Sequence, residues 1–295
     1  MSFIATLIAN PKNPALTPAF AEAVSRSVGS RNTYWLADGI AFDCVLPESG
    51  DPASQEAEIR SIIRQAPIDV VVQNPDLRRR KALIADMDST MIEQECIDEL
   101  AAEVGLKEKV SLITARAMNG EIPFEPALKE RVALLAGLST EIIGKVIEER
   151  ITLTPGGTEL VATMKAHGAW TSLVSGGFTH FTSKVAAMLG FDQSRANILL
   201  EKDDHLTGQV AEPVLGKQAK VDALNEIAKA QNITTGDFIA VGDGANDLGM
   251  LQAAGTGVAL HAKPSVAKAA QFRIDHGDLT ALLYIQGYRK SRFSV

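Results

Sequence analysis

Two carboxylates separated by one residue, Asp86 and Asp88, follow the short apolar run 82–85. If that run forms a buried strand, both acids lie at its carboxyl end, the edge at which open α/β sheets bind their ligands. A buried carboxylate is costly unless it is paired with a cation or bound to a metal. The two acids therefore indicate chemistry or metal binding rather than packing, although a solvated turn would also explain an isolated D-x-D.

A second acidic loop, 242–247, follows the apolar run 238–241. It holds Asp243, Asn246 and Asp247 among glycines, which let the backbone approach a ligand closely. This composition favours metal or phosphate binding over a plain turn. An EF-hand is excluded because its spaced ligands and terminal glutamate are absent. The chain also contains no G-x-x-x-x-G-K-[ST] phosphate loop.

Two further signals are weak when taken alone. Ser175, Gly176 and Gly177 follow the apolar run 170–174, and their hydroxyl and backbone amides could hold phosphate oxygens at a helix start. An ordinary turn explains the same residues. Lys220 lies where a helix is expected to begin, and a surface lysine is the usual interpretation of such a position.

Electrostatics connects these loops. A phosphate dianion close to Asp86 and Asp243 would be repelled by roughly 4 kcal/mol per pair of unit charges at about 4 Å and an effective dielectric of about 20. Such a site needs cations. Oxygen ligands without imidazole or thiolate groups favour a hard ion, and Mg²⁺, which binds carboxylates, water and phosphate together, fits best. Lys220 would supply the remaining positive charge.

The composition is that of an ordinary globular protein, with 295 residues, 46% hydrophobic and 22% charged. The length predicts two domains, or one domain with an insertion. A net charge of −7 argues against nucleic acid or an anionic membrane as a partner. No apolar run approaches the roughly 18 residues of a membrane span, and residues 1–10 lack a secretory signal, so we expect a cytoplasmic protein. Cys44 and Cys96 suggest neither a disulfide framework nor a zinc site.

Residues 1–76 have the pattern of a separate unit. Strand and helix patterns alternate there in the β-α-β-β-α-β order of ferredoxin-like α+β domains. The basic run 78–80 then indicates a solvated junction. The strands are expected at 3–8, 33–36, 40–46 and 68–73, and the helices at 18–28 and 55–65.

The rest of the chain alternates between strand and helix patterns around one helical insertion. Apolar residues recur at helical spacing from 93 to 149 without a convincing strand, so we expect an inserted helical cap. Alternation resumes with a helix that starts at Thr154-Pro155-Gly156 and ends near residue 167. A doubly wound parallel sheet and a hairpin beside it follow from strand patterns at 170–174, 238–241, 257–260 and 272–274, and at 197–200 with 207–210.

Four motifs in chain order resemble the signatures of the haloacid dehalogenase (HAD) superfamily of phosphatases. They are D-x-D-x-T from Asp86, then Ser175-Gly176, Lys220 and the G-D-G-x-N-D string 242–247. Longer strings resemble the members of this superfamily that act on phosphoserine, at 86–95, 124–135 and 242–250, and the similarity spans about residues 80–280.

The resemblance implies an α/β fold with two domains. Residues 77–295 would form a HAD-like phosphatase core, a doubly wound parallel sheet with a helical cap inserted at about 95–152. Residues 1–76 would be a ferredoxin-like, ACT-type domain. Such a domain allows a homodimer formed through residues 1–76 or the binding of an amino acid, and a purely structural role is equally compatible with the pattern.

The resemblance also implies how the site works. Asp86 would be the nucleophile that forms an aspartyl-phosphate, and Asp88 the general acid and then the general base. Mg²⁺ would be bound by the Asp86 side chain, the Asp88 backbone carbonyl and Asp243, with Asp247 supporting the loop. The residues implied to bind substrate are Ser175, Gly176, Lys220 and Asn246 at the phosphoryl group, Glu95 at an ammonium and Arg131 at a carboxylate, with Met118 and Phe124 as apolar walls.

The function implied is magnesium-dependent hydrolysis of the small phosphomonoester O-phospho-L-serine to L-serine and phosphate, the last step of L-serine biosynthesis. Two alternatives stay open. One is a HAD phosphotransferase or phosphatase that acts on another small phosphomonoester. The other is an amino-acid-sensing regulatory protein.

Overall fold

The N-terminal part of the computed structural model, which describes residues 3–30 and 32–295, is an antiparallel sheet with two helices on one face. Its elements are β1 (Phe3–Ala9), α1 (Pro18–Ser27), β2 (Thr33–Ala37), β3 (Ala41–Leu46), α2 (Pro52–Ile63) and β4 (Ile68–Gln73). Thr17 and Asp51 cap the two helices with their side-chain oxygens, and a proline follows each. The strands pair in the order β2-β3-β1-β4, so the predicted ferredoxin-like arrangement is confirmed.

The rest of the chain is built around a parallel sheet. Its strands and those of a hairpin are β5 (Ala82–Ala85), β6 (Trp170–Phe178), β7 (Gln193–Asn197), β8 (Leu199–Lys202), β9 (His205–Val210), β10 (Phe238–Gly242), β11 (Thr256–Leu260) and β12 (Phe272–Ile274). The sheet order is β12-β11-β10-β5-β6-β7, and β8 pairs with β9 outside it. β5, β10 and β11 are buried along their whole length, because apolar clusters cover both faces of the sheet. The predicted doubly wound sheet is confirmed.

Two local differences from the sequence-based expectation lie beside this sheet. The pattern does not predict β7, because Gln193–Asn197 is a polar edge strand without an apolar run. Since β7 includes residue 197, the hairpin starts later, at Leu199. The helix expected from Thr154 begins only at Gly157, because Gly156 has a φ of +83°, outside the range of a right-handed helix.

A helical cap is inserted between β5 and β6. It consists of α3 (Cys96–Glu103), α4 (Lys107–Met118), α5 (Phe124–Ala133) and α6 (Glu141–Arg150). The two connections to the sheet run side by side, with Ile92 opposite Leu153 and the Glu93 amide donating to the Thr152 carbonyl at 2.9 Å. The helices outside the cap are α7 (Gly157–Ala166), α8 (Thr179–Leu189), α9 (Lys217–Ala230), α10 (Leu248–Ala253), α11 (Pro264–Ala269) and α12 (Ala281–Ile285).

The junction between the two sheets differs from its prediction as a solvated linker. Arg78 pairs with the buried carboxylate of Asp43 at 2.7 Å. Arg80 donates to the Thr256 hydroxyl and to the Gly255 carbonyl, both at 2.8 Å. The prediction is therefore wrong for these two arginines, because each finds acceptors far away in the sequence.

The two sheets also share one apolar cluster, which includes Ile8 and Val71 from the first sheet and Leu282 and Ile285 from α12. A boundary near residue 77 and a cap of about 95–152 stay proposals for how the chain divides into domains. In the part of the chain that the structure describes, no helix has the length and apolar character needed to cross a bilayer.

Candidate active site

The polar loops meet because the strands before them are neighbours in the parallel sheet. Ala85 at the end of β5 is paired with Val241 of β10 and with Leu173 of β6. Asp86 and Asp243, which follow β5 and β10, and Ser175, two residues beyond Leu173 within β6, therefore lie at one edge of the sheet.

Asp86 and Asp88 have different hydrogen-bond partners. Oδ1 of Asp86 accepts from the Met87 amide at 2.8 Å and contacts Nζ of Lys220 at 2.6 Å. Asp88 accepts from the Cys96 amide at 2.9 Å and from the Ser175 hydroxyl at 3.1 Å. Burial is the main cause that raises the pKa of both carboxyls above their ordinary value. The two acids are thus held in distinct surroundings, as two separate chemical roles require.

Lys220 is buried between two carboxylates. Its Nζ lies 2.6 Å from Oδ1 of Asp86 and 2.5 Å from Oδ1 of Asp247. Burial alone would lower the pKa of Lys220, but the charges of Asp247 and Asp86 outweigh it and raise that pKa. The lysine therefore stays positively charged and is not a surface residue.

Three buried carboxylates come together beside this lysine. Asp86, Asp243 and Asp247 each offer an oxygen within 4.8 Å of the others. Burial, and next the charge of Asp247, raises the pKa of Asp243 to about 7. One buried oxygen of Asp243, Oδ2, has no hydrogen-bond partner among the described residues, and Nζ of Lys263 is 3.8 Å away. A group of oxygen donors with excess negative charge fits a hard divalent cation.

The carboxylate of Asp247 is already occupied. Its Oδ1 contacts Lys220, and its Oδ2 accepts from the amides of Asp243 at 3.2 Å and Gly244 at 3.0 Å. Asp86 and Asp243 are therefore better placed as cation ligands, and Asp247 holds the loop around them.

The end of β6, where the sequence pattern predicts a loop after residue 174, brings backbone close to the acids. A Cβ added at Gly177 would lie 2.6 Å from Oδ2 of Asp88, so only glycine fits there. The Gly176 carbonyl accepts from the side chain of Asn197 at 2.8 Å, which fixes this end of β6 to the end of β7. Nearby, the buried Oδ1 of Asn246 has no partner among the described residues.

Two charged side chains approach from the cap. Glu95 accepts from the Ser89 hydroxyl at 2.7 Å, and burial raises its pKa well above the ordinary value. Arg131 is only 2% exposed and forms no ion pair with a carboxylate in residues 3–30 and 32–295. Burial lowers its pKa, and the negative charge of Glu95 opposes that effect. A buried guanidinium without a counterion is costly, which indicates that this site binds an anion.

One cavity joins the sheet edge to the cap, with a volume of about 20 Å³. This is room for about one water molecule, which is less than a small organic substrate fills. Lys220 and Asp243, the two remaining candidate residues, contact Asp86 or lie beside it rather than line the cavity. The candidate residues that line it are Asp86, Asp88, Glu95, Met118, Phe124, Arg131, Ser175, Gly176 and Asn246.

Comparison with known proteins identifies the family. The chain belongs to the haloacid dehalogenase-like hydrolases, whose family model matches residues 83–252. A phosphoserine phosphatase of Lactococcus lactis subsp. lactis is 46% identical over 201 residues, which cover 68% of this chain and 93% of that protein.

Two solved structures extend the comparison to the fold. A HAD family hydrolase of Salmonella enterica serovar Typhi matches 96% of this chain and 98% of its own, with a TM-score of 0.85 and 29% identity. A phosphoserine phosphatase solved as an analogue of its phospho-aspartyl intermediate matches 70% of this chain and 98% of its own, with a TM-score of 0.67 and 42% identity.

Sequence reasoning missed several polar residues that support the site. Thr90 donates to Oδ1 of Asp243 at 3.2 Å and so connects the two acidic loops. Its place in D-x-D-x-T was a signal for this contact. Ser89, Thr114 and Asn197 gave no such signal, because single polar residues in a turn, on a helix or at a strand end are common.

Proposed function

We propose that this protein hydrolyses O-phospho-L-serine to L-serine and phosphate. The observation that supports this most is the buried Arg131 guanidinium without a carboxylate partner, in the same cavity as Glu95 and Asp86, which is itself paired with Lys220. These groups complement the carboxylate, the ammonium and the phosphate of the substrate. The phosphoserine phosphatases among the relatives support the same substrate.

The first half of the proposed reaction transfers the phosphoryl group to Asp86. Lys220 and the Met87 amide orient Asp86 through its Oδ1, and a carboxylate oxygen of Asp86 attacks phosphorus. The P–O bond to serine breaks as the new bond forms, and Asp88 donates a proton to the departing serine oxygen.

The second half releases phosphate. Asp88, now ionised, takes a proton from a water molecule, and the water oxygen attacks phosphorus. The bond between phosphorus and Asp86 breaks, which restores both side chains. Ser175, the Gly176 amide, Lys220 and Asn246 are proposed to bind the phosphoryl oxygens.

A divalent cation, which we propose is Mg²⁺, fits this site. Asp86 and Asp243 would hold it with their side chains and Asp88 with its backbone carbonyl. When bound, it supplies positive charge to the phosphoryl oxygens. The buried Oδ2 of Asp243, which accepts no hydrogen bond from the described residues, supports this assignment.

The cap is proposed to select the substrate. Glu95 would bind the ammonium group, and Arg131 the carboxylate, with Met118 and Phe124 as apolar walls. The place of the enzyme in L-serine biosynthesis and a cytoplasmic location follow from this proposal. A homodimer or an amino-acid site formed by residues 1–76 stays a prediction.

A phosphate-release assay with Mg²⁺ tests the proposal. We expect turnover of O-phospho-L-serine that Asp86→Asn lowers by about 10⁴-fold, because the nucleophile is lost. Asp278→Asn, which changes a buried carboxylate bonded to Thr280 outside the cavity, is the matched control and should keep most activity.

The same assay with O-phosphoethanolamine, which lacks only the carboxylate, tests substrate choice. Arg131→Ala should lower kcat/KM for O-phospho-L-serine by about 100-fold and change that of O-phosphoethanolamine little. Full activity of Asp86→Asn would contradict the proposal. Phosphorylation of added homoserine would favour a phosphotransferase, and amino-acid binding without turnover of any phosphomonoester would favour a regulatory protein.

A further inference from the structure

A chain of side-chain hydrogen bonds crosses three cap helices and ends at Arg131. Asp98 lies on α3, Thr114 on α4 and Arg131 on α5, and all three are buried. The Thr114 hydroxyl accepts from Nη1 of Arg131 at 2.9 Å and donates to Oδ1 of Asp98 at 2.7 Å. The hydroxyl thus stands between a cation and an anion.

Each oxygen of the Asp98 carboxylate accepts a hydrogen bond from a hydroxyl group. Thr114 bonds to its Oδ1, and Ser111 donates to its Oδ2 at 2.6 Å. A direct contact with Asp98 would form a strong bidentate ion pair and neutralise the guanidinium of Arg131. Because Thr114 lies between them, Asp98 orients the guanidinium of Arg131 without forming an ion pair with it.

The guanidinium of Arg131 has two hydrogen-bonded nitrogens and one free nitrogen among the described residues. Nε donates to the Ala127 carbonyl at 3.0 Å, one turn back along α5. Nη1 donates to Thr114, whereas Nη2 donates to no atom of residues 3–30 and 32–295. Two fixed donors on one planar group set its orientation, and Arg131 lines the cavity.

We propose that Thr114 is a positioning residue for substrate recognition, which together with Asp98 holds the Arg131 guanidinium ready for the carboxylate of the substrate. This inference rests on the proposed function, since it assigns the carboxylate subsite of the same reaction. Thr114 neither lines the cavity nor bonds to Asp86, so it acts on substrate binding through Arg131.

Steady-state kinetics on two substrates tests this role. Thr114→Val keeps the size of the side chain but leaves Nη1 of Arg131 without an acceptor. We expect its KM for O-phospho-L-serine to rise about tenfold, which corresponds to about 1.4 kcal/mol, with a much smaller change in kcat. The KM for O-phosphoethanolamine should stay the same, because that substrate has no carboxylate.

Two further variants separate positioning from packing. Thr114→Ser retains the hydroxyl and should restore the KM for O-phospho-L-serine to within about twofold. Thr163→Val removes a buried hydroxyl in α7 that accepts from the Ser294 amide at 2.8 Å, and it should leave the ratio of the two KM values unchanged.

Equal losses of Thr114→Val on both substrates, or an unchanged KM for O-phospho-L-serine, would overturn the proposal. If Thr114→Val does not fold, Asp98→Asn provides the same test. It should raise the KM for O-phospho-L-serine several-fold and leave that for O-phosphoethanolamine unchanged, and an unchanged ratio would overturn the proposal. Failure of the unmodified protein to hydrolyse O-phospho-L-serine would instead reject the proposed function, and with it this assignment.

Discussion

At the scale of residues, the buried carboxylates of the candidate active site together carry more negative charge than Lys220 neutralises. Asp86, Asp243 and Asp247 lie together, Lys220 contacts only Asp86 and Asp247 among them, and the pKa values of Asp86 and Asp243 are raised. Burial separates each charge from water, and the neighbouring carboxylates repel one another. The structure therefore gives up stability at this edge of the sheet, where we propose that a cation binds.

The charge excess predicts a pH dependence for the metal-free protein. Asp243 has a pKa of about 7 in the fold and an ordinary value of 3.8. Between these values the folded state retains a proton that the unfolded chain has lost, so stability falls as pH rises towards 7. We expect a loss of up to about 1 kcal/mol per pH unit, measured as the free energy of unfolding in EDTA.

Magnesium should reverse this trend, because it binds the ionised carboxylate. The increase in Tm produced by Mg²⁺ should therefore grow from pH 5.5 to pH 7.5. Asp243→Asn has no such proton to lose, and we expect it to be more stable without metal and to respond weakly to Mg²⁺. A Tm increase independent of pH would show that Asp243 does not bind the ion.

The sequence predicts some of these residues well and others not at all. The acids stand in strings whose spacing has little other use, and their neighbourhood follows from the parallel strands β5 and β10 before them. Lys220 on α9 is a weak signal by itself and is predicted only through the order of the four motifs. Thr114 lies on an apolar helix face, and its partners are 16 and 17 residues away. Such a threonine is usually a packing residue, and only the arrangement of three helices reveals its contacts.

At the scale of elements, the hairpin β8–β9 supports the cap from outside the sheet. The Leu206 amide donates to the Leu138 carbonyl at 2.8 Å, and the Gly137 amide donates to the Leu206 carbonyl at 2.8 Å. Lys129 of α5 also pairs with Glu212 at 2.6 Å, although this exposed pair contributes little. The cap thus rests on two supports, its own connections and the hairpin.

A substitution at Gly208, on β9, tests whether the hairpin supports the cap. A Cβ there would lie 2.9 Å from the Cβ of Ala136, so Gly208→Ala should push β9 away from the end of α5. We expect the KM for O-phospho-L-serine to rise about fivefold because the closed cap loses about 1 kcal/mol. Hydrogen exchange over 124–140 should also become faster.

Gly168→Ala is the matched control for this change. Gly168 has a φ of +82° against +79° at Gly208, but nothing lies within 4 Å of its added Cβ. Both variants should lose about 1 kcal/mol of stability from backbone strain. If the two variants have the same KM, the hairpin does not support the closed cap.

The sequence predicts the strands and helices that have a periodic or continuous apolar pattern, and it misses β7, which has none. β5 and β10 are short apolar runs in a fully buried position, and the cap helices repeat at helical spacing. β7 is polar because it lies at the edge of the sheet. Its existence depends on pairing with β6, a contact that no local pattern encodes.

At the scale of the whole molecule, the N-terminal sheet is fixed to the parallel sheet by polar contacts as well as apolar ones. Asp69 on β4 is buried and accepts from three consecutive backbone amides, Asp275 at 2.8 Å, His276 at 3.2 Å and Gly277 at 2.7 Å. The Gln73 side chain donates to the Ile285 carbonyl at 2.7 Å. These partners lie more than 200 residues away, so local sequence patterns do not reveal the contacts. For this reason the sequence predicts residues 1–76 as a separate unit.

Replacement of Asp69 tests whether this contact joins the two parts into one cooperative unit. Asp69→Asn puts an amide group where the carboxylate accepts hydrogen bonds, so at least one buried backbone amide loses its partner. We expect the free energy of unfolding to fall by about 2 kcal/mol, with faster deuterium uptake over 272–279, in denaturant titration and hydrogen-exchange measurements. Asp38→Asn, at an exposed position of the same sheet region, should change neither quantity. Identical behaviour of the two variants would mean that the apolar cluster alone holds the sheets together, because the amides of 275–277 would then find other acceptors at no cost.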